Sequence, residues 1–137
     1  MTVISLRRRD TGGGRTSKAD CMISRYAAKG GHRLPCVGFR FTLDMVKRLG
    51  WMIGDYIACD FENKDGTGVW TVTRVAGPKQ GGIALSRNNK ANTCAAKFTL
   101  EECVIDMLFP KGVEYVDATL MQHDRNVAVF AFEWTEN

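Results

Sequence analysis

Residues 41–57 read FTLDMVKRLGWMIGDYI, and the interpretation of the whole chain starts from this stretch. Apolar residues recur in it at helical spacing and predict a short helix with one buried face; they are Leu43, Val46 and Leu49. Thr42 stands where a helix N-cap is preferred, and Gly50 stands where a helix ends in a left-handed residue. The stretch therefore predicts a strand, a short helix and a return into a second strand.

A similar order of elements is repeated later in the chain. Phe41-Thr42-Leu43 recurs as Phe98-Thr99-Leu100 at an offset of 57, and Val69 recurs as Val127 at an offset of 58. The second copy contains a capping-box pattern over residues 99–102. Its helix is expected to bury one face, consisting of Leu100, Cys103, Val104 and Met107. The repeat predicts two units of the same construction.

Each predicted helix is followed by a glycine and a predicted β-hairpin. The first hairpin pairs 55–62 with 68–75 across a turn that contains Asp-Gly, and the second pairs 114–121 with 126–134. The expected fold class is mainly β, of the α+β type, with two strand, short helix and β-hairpin units in one compact antiparallel domain. We expect a basic arm over residues 1–19 and a single domain over 20–137, with the internal repeat at 36–75 and 95–134.

The Leu-Gly and Gly-Asp pairs of residues 41–57 resemble the pattern of AbrB/MazE-type swapped-hairpin modules, of the kind found in small phage proteins. The resemblance covers mainly residues 36–75. The second copy departs from it at Phe109-Pro110 and at Gly112-Val113. The resemblance implies a dimer-like β core, made by the two halves of one chain, and DNA contacts by basic residues around the first strands. By position, these residues are Arg25, Lys29, Arg33 and Arg40.

Positive charge is concentrated in the first part of the chain. Residues 1–50 contain eleven Lys and Arg against three Asp, or +8, whereas residues 51–137 contain eight against twelve acids, or −4. A basic segment favours association with polyanions, most commonly nucleic acid. An acidic protein surface and a merely solubilising arm remain open as alternatives. The predicted contact residues are Arg7, Arg8, Arg9, Arg15, Lys18, Arg25, Lys29, Arg33 and Arg40, with Trp51 as an exposed residue on which a base could stack.

The remaining motifs indicate neither a catalytic site nor a cofactor. Five scattered cysteines are typical of reduced thiols and of a cytoplasmic protein, in the host cell if the protein is viral, and we expect Cys59 and Cys103 in the core. Cys21, His32 and Cys36 lack the second close pair of a zinc site, so no metal is expected. No apolar stretch reaches the roughly 20 residues of a membrane span. No nucleophile, phosphate-loop or metalloprotease motif is present, so the chain is expected not to be an enzyme.

Two functions are consistent with these observations. The first is a non-enzymatic binding or regulatory protein whose basic N-terminal third engages nucleic acid or a nucleoprotein. The second is a phage-type inhibitor or adaptor of the anti-defence class, which binds a host protein through the arm or an exposed β edge. A homodimer remains open in either case.

Overall fold

The computed structural model of the protein describes residues 19–28, 34–87 and 92–136. Within these residues the chain forms nine β-strands, two short α-helices and a 3-10 turn at Pro78–Gln80. The strands are β1 (Cys21–Tyr26), β2 (Cys36–Thr42), β3 (Tyr56–Lys64), β4 (Thr67–Val75), β5 (Ile83–Ala84), β6 (Ser86–Arg87), β7 (Thr93–Thr99), β8 (Tyr115–His123) and β9 (Val127–Glu133). Helix α1 is Leu43–Leu49 and follows β2, and helix α2 is Glu102–Ile105 and follows β7.

All nine strands belong to one antiparallel sheet, in the order β5-β3-β4-β9-β8-β1-β2-β7-β6. The two edge strands, β5 and β6, are separated in the chain by Leu85 alone. One run of chain therefore joins both edges, and the sheet nearly closes into a barrel. The predicted mainly β, antiparallel class is confirmed.

Aromatic side chains fill the interior of the barrel. Alternate residues of each strand point inward, and Phe39, Phe41, Trp70 and Phe130 are 4% exposed or less. The rings of Phe39 and Trp70 lie perpendicular to each other with centroids 5.0 Å apart, the edge-to-face arrangement that aromatic pairs favour. β2 and β7 pair with Phe39 opposite Ala96, and β4 and β9 pair with Thr71 opposite Val129.

Both predicted hairpins are present. β3 and β4 are joined by the two-residue turn Asp65-Gly66, whose φ angles of 49° and 88° are those of a turn suited to the twist of a hairpin. This turn is tighter than the five-residue loop that the sequence predicted. β8 and β9 are joined at 124–126, and their register shifts between Leu120 and Gln122 as in a β-bulge.

Helix α1 has the boundaries that its sequence predicts. Thr42 Oγ1 accepts a hydrogen bond from Met45 N at 3.1 Å, and Gly50 ends the helix with φ 78°. The inward face consists of Met45, Val46 and Leu49, all buried. The N-cap, the C-terminal glycine and the apolar spacing all lie within nine residues, so local chemistry is enough to specify this helix.

Helix α2 differs from its prediction. Thr99 is the last residue of β7, where it pairs with Cys36, so it is not the N-cap; Glu101 takes that position without a side-chain hydrogen bond. The helix is a single turn, and Ile105 is its buried residue. Of the predicted buried face, Leu100 is partly buried against the core, but the other three positions are wrong: Cys103 is exposed, Val104 is 37% exposed and Met107 is 71% exposed.

None of the described helices is long and apolar enough to cross a bilayer.

Candidate nucleic-acid interface

The outer face of β1, β2 and β7 brings together basic and aromatic side chains. Cys21 and Ile23 of β1 point into the core, so Met22, Ser24 and Tyr26 lie on the opposite face of the sheet, where Met22 and Ser24 are buried and Tyr26 is half-buried. In the same way, the register places Arg40 of β2 and Lys97 of β7 on the outer face. Lys97 Nζ lies 4.8 Å from the centroid of the Tyr26 ring, within cation–π range.

Gly38, on the outer face of β2, leaves room for the side chains of its neighbours. A Cβ atom added at Gly38 would meet the Tyr26 ring at 2.9 Å, closer than real Cβ atoms approach another atom. The Tyr26 ring therefore lies directly over the backbone of β2. The stem of Lys97 lies beside it, with its Cγ 3.5 Å from the Cβ added at Gly38. The face presents one ring and one cation side by side.

The predicted basic segments are joined in sequence to the two ends of β1. Residues 1–18 precede β1 and residues 29–33 connect it to β2, and β1 with its six residues is roughly 20 Å long. The predicted contact residues in those segments lie outside the described residues; they are Arg7, Arg8, Arg9, Arg15, Lys18, Lys29 and Arg33. The described residues carry eleven Lys and Arg against fourteen Asp and Glu, or −3, and the remaining residues carry eight against one, or +7. The two parts together give the formal charge of +4.

Arg25 has an intramolecular role at the end of β1. Its Nη2 donates to Glu102 Oε2 at 2.7 Å and to Asp106 Oδ1 at 2.6 Å, and the guanidinium carbon lies 5.9 Å from the centroid of the Phe109 ring. Burial disfavours the charged form, but the hydrogen bonds to Asp106 and Glu102 outweigh burial and raise the pKa of Arg25. Arg25 thus holds α2 against the barrel, and its charge is already compensated by two carboxylates.

Trp51 is buried, so the prediction that it is exposed is wrong. Only 5% of the residue is accessible, and its indole Nε1 donates to Arg125 O at 3.0 Å. The reason is the left-handed Gly50, which reverses the chain so that Trp51 N donates back to Val46 O. The ring then packs beneath α1 as an anchor, which is the more common role of tryptophan.

Tyr115 is the exposed aromatic residue that the sequence reasoning missed. It is 40% exposed and lies on β8 opposite Ser24, next to the outer face of β1. Strand alternation could have found it, because Val116 packs against the core and its neighbours Tyr115 and Asp117 must then point outward. Asp117 gives this border of the face a negative charge.

The cysteines do not assemble a metal site. Cys21 and Cys36 lie at opposite ends of the β1–β2 ladder, roughly 17 Å apart, so one ion cannot bind both. His32 lies outside the described residues, among which no group of three metal-ligating side chains is found. Burial raises the pKa of Cys94 to about 11 and also raises the pKa of Cys21. These thiols stay protonated at neutral pH and are poor ligands and nucleophiles.

Cys59 and Cys103, both expected in the core, differ in burial in the structure. Cys59 is partly buried and packs against the core, and burial raises the pKa of its thiol. Cys103 is exposed on α2, so its prediction is wrong. All five cysteines are free thiols in the described residues.

Comparisons with family models, with curated proteins and with solved structures find no match to this chain.

Proposed function

We propose that the protein is a non-enzymatic nucleic-acid-binding protein whose basic N-terminal third engages phosphates beside the outer face of β1, β2 and β7. One observation carries the proposal. The segments 1–18 and 29–33, which carry seven Lys and Arg against one Asp, or +6, are joined in sequence to the two ends of β1, the strand that holds Tyr26 and neighbours Arg40 on β2. The same geometry would serve a nucleoprotein target.

Each chemical group in this arrangement has a use in binding a polynucleotide. Lys and Arg contact phosphates and release counterions, which supplies affinity without sequence preference. The exposed ring of Tyr115 offers a stacking surface for a base. The acidic remainder of the chain repels phosphate, so it orients the polynucleotide toward the basic face.

The salt dependence of binding tests this proposal. Fluorescence anisotropy of labelled 20-nucleotide single strands and duplexes, of DNA and of RNA, is followed from about 50 mM to about 200 mM salt. We expect affinity to fall steeply with salt, and Lys97→Gln to lower the logarithmic slope by about one. Lys79→Gln is the matched control, because Lys79 is exposed in the 3-10 turn away from β1 and should leave the slope unchanged. Absence of binding to every probe at about 50 mM salt would contradict the proposal.

The proposal includes a duplicated core, built like the swapped-hairpin modules of the AbrB/MazE type. Phe39 pairs with Ala96, 57 residues later, and Thr71 pairs with Val129, 58 residues later. These separations equal the two offsets of the sequence repeat. Equivalent strands that meet at a two-fold axis pair antiparallel, which supports two units related by such an axis. Superposing 36–75 on 93–133 in an experimental structure should require a rotation near 180°, and a very different rotation would contradict the duplication.

A second function, that of an inhibitor or adaptor of a host protein, is supported by the apolar side chains that α2 leaves exposed. Copurification of the tagged chain from nuclease-treated lysate separates the two functions. A stoichiometric protein that remains bound after nuclease treatment would favour the adaptor, whereas loss of all partners with the nucleic acid would favour the binding function proposed first.

A further inference from the structure

The seam of the barrel is closed at one end only. β5 pairs with β3 at Tyr56 and Ile57, and β6 pairs with β7 at Cys94 and Ala95. Along 58–64, no described strand pairs with this edge of β3. Seven residues amount to roughly 23 Å of strand edge, whose backbone donors and acceptors can pair with another chain.

An apolar groove of about 520 Å³ lies along this open edge. Its barrel side includes Cys59, Phe61 and Trp70, and its other side includes Leu100, Val104 and Met107, from the segment that contains α2. Met107 is 71% exposed and Val104 is 37% exposed, although both are large and apolar. The volume is typical of a ligand or peptide site.

Two carboxylates form the rim of the groove. Asp60 and Glu62 line it and are exposed, and they alternate along β3 with the inward residues Cys59 and Phe61. A strand added to β3 would place one set of its side chains opposite Asp60 and Glu62 and the other set opposite the apolar residues. Basic residues fit the first set and apolar residues fit the second.

Trp70 provides an independent sign that the groove is incomplete. The residue is 4% exposed, and its Nε1 has no hydrogen-bond acceptor among the described residues. A buried donor without a partner loses its hydrogen bond to water and gains none in return, so native proteins rarely keep one. An occupant of the groove brings backbone carbonyls, which are the acceptors that such a donor needs.

We propose that this groove is the docking site for an extended segment of a partner protein in which apolar and basic residues alternate. The segment pairs with the open edge of β3, packs its apolar side chains against Phe61, Trp70 and Met107, and sets its basic side chains opposite Asp60 and Glu62. This is strand addition, in which main-chain hydrogen bonds supply affinity and alternate side chains supply specificity. The carboxylates repel phosphate, so this surface is separate from the proposed nucleic-acid face.

A pair of labelled peptides tests the proposal on the full chain. The first alternates Val or Leu with Arg over eight residues, and the second has the same composition with the four Arg residues in one block. Anisotropy titrations at about 50 mM salt should show the alternating peptide binding about tenfold more tightly, because only its pattern matches both faces of β3.

Substitutions at two exposed methionines locate the binding. Met107→Lys should weaken binding of the alternating peptide about tenfold, as expected when a charge replaces an apolar residue that lines a peptide groove. Met121→Lys is the matched control, since Met121 is 62% exposed against 71% for Met107 but does not line the groove, and it should change binding less than about twofold. The double variant Asp60→Asn, Glu62→Gln should weaken binding about threefold and flatten its salt dependence.

Several outcomes would overturn the proposal. Equal binding of the two peptides, or equal effects of lysine at positions 107 and 121, would remove the groove from the interaction. Binding by the variant Arg7→Gln, Arg8→Gln, Arg9→Gln but not by the wild type would identify the chain's own N-terminus as the occupant. A dimer that Met107→Lys converts into a monomer would identify a second copy. Lys97→Gln should leave peptide binding unchanged. The docking proposal and the nucleic-acid proposal can therefore be contradicted independently of each other.

Discussion

Helices α1 and α2 each follow one strand of the β2–β7 pair, yet they differ in how many of their apolar residues they bury. α1 has seven residues, a threonine N-cap and a left-handed glycine, and it buries Met45, Val46 and Leu49. α2 has four residues and no side-chain cap, and it leaves Val104 exposed. Both helices therefore contribute buried residues to the same core, but only α1 also buries the remaining apolar residues of its inward face.

The means of attachment differ as well. α1 is held by apolar burial and by its own caps, which act within the segment. The α2 segment is anchored by Ile105 and by Leu108 and Phe109 just after the helix, all buried. It is also tied to another strand, because the Arg25 guanidinium reaches Glu102 and Asp106, 77 and 81 residues away in the chain. Val104 and Met107 take no part in this anchoring and stay exposed.

The sharpest test of this comparison is truncation of one apolar residue in each region. Leu49→Ala should lower the free energy of unfolding by about 2–5 kcal/mol, because Leu49 is 4% exposed and its loss opens a cavity. Met107→Ala should lower it by less than about 0.5 kcal/mol, because most of that side chain is already in water. Urea unfolding measures both. Similar losses at the two positions would show that α2 covers its apolar residues in solution.

Removal of Arg25 tests how α2 is held. Arg25→Met keeps an unbranched apolar side chain and removes both ion pairs together with the guanidinium over Phe109, and we expect a loss of about 1 kcal/mol that shrinks at high salt. The estimate is modest because the Glu102 and Asp106 side chains are 52% and 62% exposed. Arg48→Met on the exposed side of α1 is the control and should cost a few tenths of a kcal/mol. Equal losses for Arg25→Met and Arg48→Met would remove the special role of Arg25.

The two helices also differ at the threonines that the sequence predicts as their N-caps. Thr42→Ala should cost about 1 kcal/mol, because the hydroxyl of Thr42 caps α1. Thr99→Ala should cost only a few tenths of a kcal/mol, because Thr99 is an exposed strand residue of β7. Thermal unfolding of both variants measures the difference. A larger loss at Thr99 than at Thr42 would restore the capping box predicted for α2.

The smallest expected effect concerns the turns of the two hairpins. Asp124 accepts hydrogen bonds from Asn126 N and Val127 N, both at 2.9 Å, and these bonds lower the pKa of its carboxyl. Since the folded-state pKa lies below the unfolded one, the stabilisation is complete above the ordinary aspartate range and is lost as the pH falls through the folded value.

Asp124→Asn should therefore flatten the acid side of the stability curve slightly, as measured by urea midpoints between about pH 6 and about pH 2. Asp65→Asn in the β3–β4 turn is the matched control, since the backbone bonds that lower the Asp124 pKa belong to the other turn. A carboxyl titration of Asp124 at or above the usual aspartate range would contradict the prediction.

Local features of this protein were predictable to within a residue or two. α1 follows from the threonine, the glycine and the apolar spacing of residues 42–50, and the first hairpin follows from Asp65-Gly66. These signals act through bonds between residues a few positions apart, so no other part of the chain is needed to read them. The uneven charge distribution was equally visible.

Three of the differences between sequence and structure depend on distant contacts. Thr99 carries a capping-box pattern, but it pairs with Cys36 and remains in a strand. Trp51 lies just beyond a helix end, but its indole donates to Arg125 in the β8–β9 turn. Arg25 reads as a free cation until Glu102 and Asp106 are placed beside it.

The amino-acid sequence was thus sufficient to predict the kinds of secondary-structure elements, their order along the chain and the uneven distribution of charge. Which strands meet at the seam was decided by the folded barrel, because β5 and β6 have two residues each and carry no periodic signal. The open edge of β3 follows from where that closure stops, because β5 pairs with β3 only at Tyr56 and Ile57. Long-range pairing and packing settle such features, since each requires segments far apart in the chain to be brought together.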